Sequence, residues 1–560
     1  MNIHLAKSPS TGKHYVYLTE SYRDKKGKPR RRFIERLGIL EDMQEKEPNV
    51  LERLRAEAKA MTQKEKDHKF LKLSVDLSKS IDHDKPLLNI GFFVLKNVYE
   101  RLNISHFITH YQKHKKSHYD LDGLLRLLTF MRIVQPSSKL KAHQERTKLF
   151  DLYESIKLED VYKGLTDLNT LKDDLMVHLN KELTDQGLRD ASLVFYDVTN
   201  YYFESDSHDG FREKGVSKEK KKTGIVQMGL FIDKQGIPIT YELFPGNTND
   251  LSTMRPILEK IKKQFNLGKL TIVADKGNNS STNLALIDSY GDDYIIAQKI
   301  RGRGTTLANI ILDQEGYHVN QEGTFKHKLV RYERNVKDVD GTPKTLTEHL
   351  MCFWSEKEAR FQRAKRGLLD EKIEKYIEDP SLLNASNSFG IKKYFKPINV
   401  DSKTGEVLEG KKIYDFNQEK YQRDLELDGY YAIVTNNLDM HPFDIIKHYR
   451  QLSMIEESFK VTKSDLEGRP IYVWKEDHIR GHFLTCYLAL LLVRIIGYDH
   501  ENMYTASQII DAIRRANAIE IMQDVFKLTP STKIFYTISK RMNLDFDKNF
   551  MKYETLRNLL

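Results

Sequence analysis

The sequence predicts a mixed α/β protein: a core of strands and helices, interrupted by an insertion and preceded by a small β unit and a helical region. Three observations lead there. Strand-like apolar runs alternate with helical ones between residues 193 and 298. The segment before them, 86–188, has apolar residues at helical spacing. A long stretch, 300–427, then separates these strands from another of the same kind at 429–435.

Composition sets the class. A chain of 560 residues, 39% hydrophobic and 30% charged, is expected to be soluble, globular and multi-domain rather than disordered. The formal charge of +10 is a modest pointer to a polyanionic partner. Cys352 and Cys486 lie far apart, which argues against a disulfide framework or a cysteine zinc site and fits a reducing cytoplasm. Residues 1–13 lack an apolar signal core. The most apolar stretch, 483–496, is too short to span a bilayer and contains Arg494, so it reads as a buried helix and no membrane partner is expected.

The first domain, 1–85, begins with a hairpin. His14–Arg23 has strand composition, 24–29 is a turn, and 30–37 returns as a second strand. Lys25, Lys26, Lys28, Arg30, Arg31 and Arg32 cluster at the turn, which suits either phosphate contact or a solvated loop. A polar helix is expected over 48–69. The second domain, 86–188, is read as a helical DNA-binding region; a helix-turn-helix and a structural bundle both fit its pattern.

From 189 the pattern changes. Residues 193–198 form an apolar run holding one acid. Strands at 225–232 and 237–244 follow, joined by a hairpin signal at 233–236. A helix over 251–265, a strand over 270–274, a helix over 281–289 and a strand over 294–298 complete the series. Three meandering strands, then helix, strand, helix, strand is the order of a ribonuclease H-like core. Its first part is 189–299 and its second 428–500, with the insertion domain, 300–427, between them. The second part holds the 429–435 strand, one long helix over 442–466 and an apolar helix over 475–496. A helical tail, 501–560, ends the chain.

Asp197 lies inside its apolar strand and Asp275 at the end of another. An ionised carboxylate in such surroundings is costly unless it is paired or binds a metal. In this core the two strands are adjacent, so the acids would converge, as shared ligands of hard cations must. Glu456 is the natural third acid. On one straight helix Tyr449, Glu456, Lys460 and Lys463 form a narrow stripe, so a metal ligand would be followed by two phosphate-holding lysines. Glu457 lies one step around and ranks lower. The plain alternative is a solvated helix face with ordinary Glu–Lys pairs. The basic stretch 214–222, with Lys218 at its centre, fits DNA contact or a solvated loop. Asp206 and Asp209 rank well below Asp197, and His208 has no His or Cys partner at metal spacing.

These residues carry a resemblance. Tyr196, Asp197, Val198 and Thr199, then Phe244, Pro245, Gly246 and Asn247, then Ala274, Asp275, Lys276 and Gly277 stand in order before the helix with Tyr449, Glu456 and Lys463. The segment 469–474 with Ile479 and His482 follows. Over 193–492 the chain resembles a DDE transposase of the insertion-sequence-four superfamily, closest to its 1634 branch, and the N-terminal hairpin is also typical. Two positions depart from the family pattern: Leu452 stands where an arginine is usual and Ser280 where an aromatic residue is common.

The resemblance implies a magnesium enzyme with two ions held by Asp197, Asp275 and Glu456, Mn²⁺ substituting. It implies double-stranded DNA partners, namely transposon terminal inverted repeats and target DNA, and a dimer in the synaptic complex. The expected reaction is two-metal phosphoryl transfer that cuts transposon ends and joins their 3′-hydroxyls to target DNA. The expected location is the bacterial cytoplasm, on the nucleoid. In such enzymes the insert is β-rich and lies against DNA, where Trp354 would stack on a flipped base; a Trp packed in the insert's own core is the alternative. Two rival readings of the whole chain remain: a ribonuclease H-like DNA nuclease that cuts without joining, and a transposase-derived DNA-binding protein.

Overall fold

The computed structural model describes residues 2–9, 11–23, 28–67, 87–113, 119–150, 153, 155–204, 208–215, 223–302, 305–378, 390–399 and 412–559. The chain divides into two compact units, residues 1–83 and 84–560.

In the first unit, β1 (Asn2–Lys7), β2 (His14–Arg23) and β3 (Pro29–Ile39) form an antiparallel sheet in that order. The sequence reading missed β1. The Val50–Asp67 helix packs on the sheet through Val50 and Leu54, which meet Val16. Lys25 and Lys26, at the tip of the predicted basic turn, lie outside the described residues. Arg30, Arg31 and Arg32 are exposed along β3.

The second unit opens with the short strand β4 (Leu88–Asn89) and a set of helices, chiefly Gly91–Arg101, Leu121–Val134 and Leu158–Asp185. Their apolar faces do not enclose a core of their own. They close around the Glu476–Asp499 helix, and Leu124, Leu165, Leu171 and Leu488 belong to one continuous core. Gly481 permits the closest approach, because a Cβ there would stand 2.3 Å from the Leu165 carbonyl oxygen. Glu476–Asp499 is, among the described residues, the one helix apolar and long enough to cross a membrane, and 89% of its most apolar window is buried in the protein.

A nine-stranded sheet forms the centre. Its first strands are β5 (Leu193–Tyr202), β6 (Ile225–Asp233), β7 (Pro238–Pro245), β8 (Thr271–Ala274) and β9 (Asp293–Gln298). β5, β6 and β7 meander antiparallel, and β8 and β9 join β5 in parallel, as the alternation of strands and helices predicts. β10 (His318–Val319), β11 (Phe325–Lys337) and β12 (Pro343–Ser355) come next in the chain, then the separate pair β13 (Phe395–Asn399) and β14 (Lys412–Phe416), then β15 (Tyr430–Thr435). The order across the sheet is β10-β11-β12-β15-β9-β8-β5-β6-β7.

That order corrects the expectation that residues 300–427 loop wholly out of the core. β12 pairs with β15, from Trp354 opposite Tyr430 to His349 opposite Thr435, so the first half of the insert widens the central sheet. Buried Leu346, Leu350, Met351 and Cys352 give β12 the apolar content of a sheet interior. The second half gathers a small core of Ile373, Tyr376, Ile391, Tyr394 and Phe395. Buried Arg366 ties it to Asp428 at 2.6 Å and to the Tyr394 hydroxyl at 2.7 Å.

The tail is also mixed rather than helical. β16 (Asn517–Met522), β17 (Val525–Leu528) and β18 (Phe550–Lys552) form a sheet with β4. Asp524 makes the tight β16–β17 turn at φ +59°, a conformation that Asp tolerates better than most residues. No glycine marked that hairpin in the sequence.

Candidate active site

Side chains alternate across β5, and the two faces meet different helices. On one face the Tyr196 hydroxyl donates to Thr253 Oγ1 at 2.8 Å, in the Asp250–Gln264 helix. On the other, Tyr201 donates to Thr462 Oγ1 at 3.0 Å and Lys463 donates to Thr199 Oγ1 at 2.6 Å. Asp197 therefore belongs to the face covered by the segment that carries Glu456.

The second acid is placed by register. β5 and β8 run parallel, with Tyr196 opposite Ala274 at the end of the pairing. Asp197 and Asp275 are the next residue on each strand, so both emerge at the same end of the sheet. Backbone amides hold the carboxylates: Val198 N–H donates to Asp197 Oδ1 at 2.7 Å, and Gly277 N–H to Asp275 Oδ1 at 2.8 Å. Buried Asn278 adds a 3.0 Å bond from Nδ2 to Asp275.

The third acid comes from a helix that is not one rod. Pro442–Arg450 ends in a turn at Gln451 and Leu452, Ser453–Lys460 restarts the helix, and Val461–Asp465 widens into a π turn. This corrects the single 442–466 helix, and the 100° stripe cannot be carried across the break. Ile455 and Phe459 anchor the middle segment in the core and leave Glu456 exposed. Glu457 is turned to Arg494, 3.4 Å away, which accounts for its lower rank.

Tyr449 reports the neighbourhood of all three acids. Burial pushes its hydroxyl up to about 12, and the charges of Asp275, Tyr431, Glu456 and Asp197 add to the rise. Among the described residues no three His, Cys, Asp or Glu side chains stand together as a ready metal cage. Asp197 and Asp275 emerge at the same end of the sheet, and carboxylate oxygens are the donor type hard divalent cations take.

Comparison with known proteins bears on the same segments. Residues 189–492 match the model of the transposase DDE domain, and residues 5–72 match that of the IS1634 family transposase N-terminal domain. The chain belongs to the DDE transposase family. It is a DNA transposase of the IS1634 branch, an enzyme of DNA cleavage and strand transfer that depends on divalent metal. No curated protein matches it. Among solved structures, a piggyBac transposase synaptic complex with hairpin DNA overlaps 84% of this chain and 83% of its own, at 7% identity and a TM-score of 0.36. A Mos1 mariner paired-end complex with Mn overlaps 35% and 66%, at 10% identity and a TM-score of 0.14. Neither overlap is close enough to carry an argument.

The transposase places its other predicted DNA contacts unevenly. Lys460 is exposed on the Glu456 helix, and Lys463 is half-buried against Thr199. Lys218 and Asp206 lie outside the described residues. Asp209 closes its own loop, accepting from Arg212 Nε at 2.8 Å. Trp354 sits in β12 with its indole N–H donating to the Asp428 carbonyl at 3.0 Å, and its ring partly buried against the core. Its packing is thus with the central sheet and not with the insert's small core.

The two departures from the family pattern have local causes. Leu452 is buried in the turn between the helices. Ser280 caps the Ser281–Ser289 helix by accepting from Asn283 N–H at 3.1 Å.

Three side chains secure the far end of the Glu456 segment, and the sequence reading named only His482 among them. Arg132 donates to the Glu467 carbonyl at 3.1 Å, Arg514 to the Asp465 carbonyl at 2.5 Å, and His482 bonds the Gly468 carbonyl at 3.2 Å. They come from three separate helices, and no local motif announces Arg132 or Arg514.

Proposed function

We propose that Asp197, Asp275 and Glu456 are the catalytic carboxylates of this transposase and that they hold two Mg²⁺ ions, for which Mn²⁺ substitutes. The observation that carries this reading is the register of β5 and β8, which brings Asp197 and Asp275 out at the same end of the sheet, with the Glu456 segment tied to β5 through Lys463 and Thr199. When bound, the ions would supply Lewis-acid stabilisation of charge developing at the phosphate.

The chain's own residues prepare that chemistry. Backbone amides beside Asp197 and Asp275 fix one oxygen of each carboxylate. Tyr449 keeps its proton at neutral pH and can donate it to a phosphate oxygen. Lys460 and Lys463 hold neighbouring phosphates. Water attacks the phosphorus at a transposon end, and the P–O3′ bond breaks to leave a 3′-hydroxyl and a 5′-phosphate. That hydroxyl then attacks a target phosphodiester, and the target's own 3′-oxygen leaves with a proton.

On this reading the DNA partners are the element's terminal inverted repeats and the target duplex, and the working form pairs two ends in a dimer. The cell compartment is the cytoplasm, at the nucleoid. Charge-neutral variants test the assignment. Asp197→Asn, Asp275→Asn and Glu456→Gln should each abolish cleavage of an end duplex in Mg²⁺ while binding persists. Substantial cleavage by any one of them would remove that residue from the site.

A further inference from the structure

A cleft of about 640 Å³ opens beside the acids and is not used by the chemistry above. Val198 and Gly277 line it. These are the two residues whose N–H groups bond Asp197 and Asp275. The cleft therefore begins where the acid site ends, at the shared edge of β5 and β8. It lies toward the other face of β5, where alternation directs Val198 and Asn200.

The cleft is built by close backbone approach. Gly215 and Gly246 meet so tightly that a Cβ on Gly215 would stand 1.9 Å from the Gly246 oxygen, and one on Gly246 would stand 2.3 Å from the Glu213 oxygen. Gln227 then fixes the turn beyond, donating from Nε2 to the Thr248 carbonyl at 2.8 Å and to the Gly246 carbonyl at 3.3 Å. This explains the Phe244, Pro245, Gly246 and Asn247 motif: Gly246 seats the turn and Asn247 is presented at the cleft. Asn200 is the register partner of Gln227 across β5 and β6, so the two amides stand side by side.

The lining chemistry selects the ligand. Among the described lining residues, amide and hydroxyl side chains outnumber charged ones, and one cation, Lys214, is matched by one anion, Asp250. A phosphate site would carry excess positive charge. Neutral donors and acceptors with one acid suit the hydrogen-bonding edge of a base, which Asn and Gln read in pairs. The volume is that of a small-molecule pocket. We propose that this cleft reads the base of a nucleotide next to the scissile phosphate, with Asn247 and Asn200 as specificity residues. The strand would cross the sheet edge, its phosphate on the acid side and its base in the cleft. The inference rests on the proposed catalytic site.

The test uses the full-length protein and duplexes carrying the element's own terminal repeat. All four base pairs are placed in turn at each of the two positions flanking the cut, and cleavage is measured in Mg²⁺. The wild type should prefer one base pair at one position by roughly 5- to 100-fold, the range of a good paired contact. Asn247→Ala, at an exposed position, and Asn200→Ala should each flatten that preference to within about threefold, while preference elsewhere in the repeat persists. Unchanged preference in both variants overturns the proposal, as does an equal loss on every sequence, which would mark a backbone contact. A second reading needs no cleavage: 2-aminopurine at the preferred position should change fluorescence on binding in Ca²⁺, and Asn247→Ala should abolish the change. A normal change in that variant overturns the cleft assignment. Failure of the wild type to cut any duplex, with the fluorescence change intact, would strike the catalytic assignment alone.

Discussion

Lys463 is fastened to Thr199 by a 2.6 Å hydrogen bond, two residues beyond Asp197 on the same strand. The π turn that holds Lys463 is thereby locked to the strand that holds the first acid. A lysine so fixed presents its charge at one place instead of sampling many rotamers. Lys463→Ala should weaken binding to transposon ends and lower the salt-dependence slope by about one unit, the loss of one phosphate contact. Lys460→Ala should do the same. Thr199→Val keeps the charge, so it should weaken binding less and leave the slope unchanged. Fluorescence anisotropy across a salt series measures all three, and wild-type slopes in both lysine variants would make them solvated surface charges.

Glu456 and Glu457 are neighbours with opposite expected effects. Glu456→Gln should lower cleavage by at least about two to three orders of magnitude, as loss of a transition-state electrostatic group does. Glu457→Gln removes only a partly exposed pair with Arg494, so it should cost under about 1 kcal/mol of stability and little activity. Gel assays of end cleavage, beside urea melts, compare them directly.

Leu452→Arg restores the family's usual residue in name only. The side chain is buried in the turn between two helices, where a guanidinium would lose its hydration. The variant should lose about 3 kcal/mol of stability and gain no affinity for DNA. A wild-type urea midpoint together with tighter end binding would show that the turn opens outward.

Lys139 predicts a pH dependence. Burial, and then the charge of Arg132, bring it down to about 7. Its ammonium donates to Thr485 Oγ1 at 3.3 Å. The unfolded chain therefore holds this proton at pH values where the folded protein has released it, and stability contributed by this group rises from about pH 7 toward its unfolded value. Between pH 7 and pH 9 the gain should be about 2 kcal/mol. Lys139→Met should be the more stable protein at pH 7 and lose roughly half of that advantage by pH 9. Parallel stability curves for the two proteins would show that the amine stays charged inside.

The sequence was most legible where short-range pattern and topology agree. Three meandering strands and two crossovers could be read from alternating apolar runs, and Asp197 and Asp275 stood out as acids within them. The stripe from Tyr449 to Lys463 assumes a straight helix, and the turn at Gln451 and Leu452 interrupts it. What was hidden depends on distant partners. For Trp354 the sequence leaves stacking and packing both open, and the carbonyl that engages its indole N–H lies 74 positions away. The β16–β17 hairpin carried no glycine, and Arg132 and Arg514 reach the Glu456 segment from helices far apart in the chain.

The position of β15 between β9 and β12 has a consequence for synthesis. About 130 residues must leave the ribosome after β9 before its neighbour exists, on the order of ten seconds at ordinary rates of translation. For that interval β9 offers an unpaired edge, a template for association with other nascent chains. A chain stopped before residue 430 would keep that edge permanently, so premature termination within the insert should yield aggregates rather than a soluble fragment.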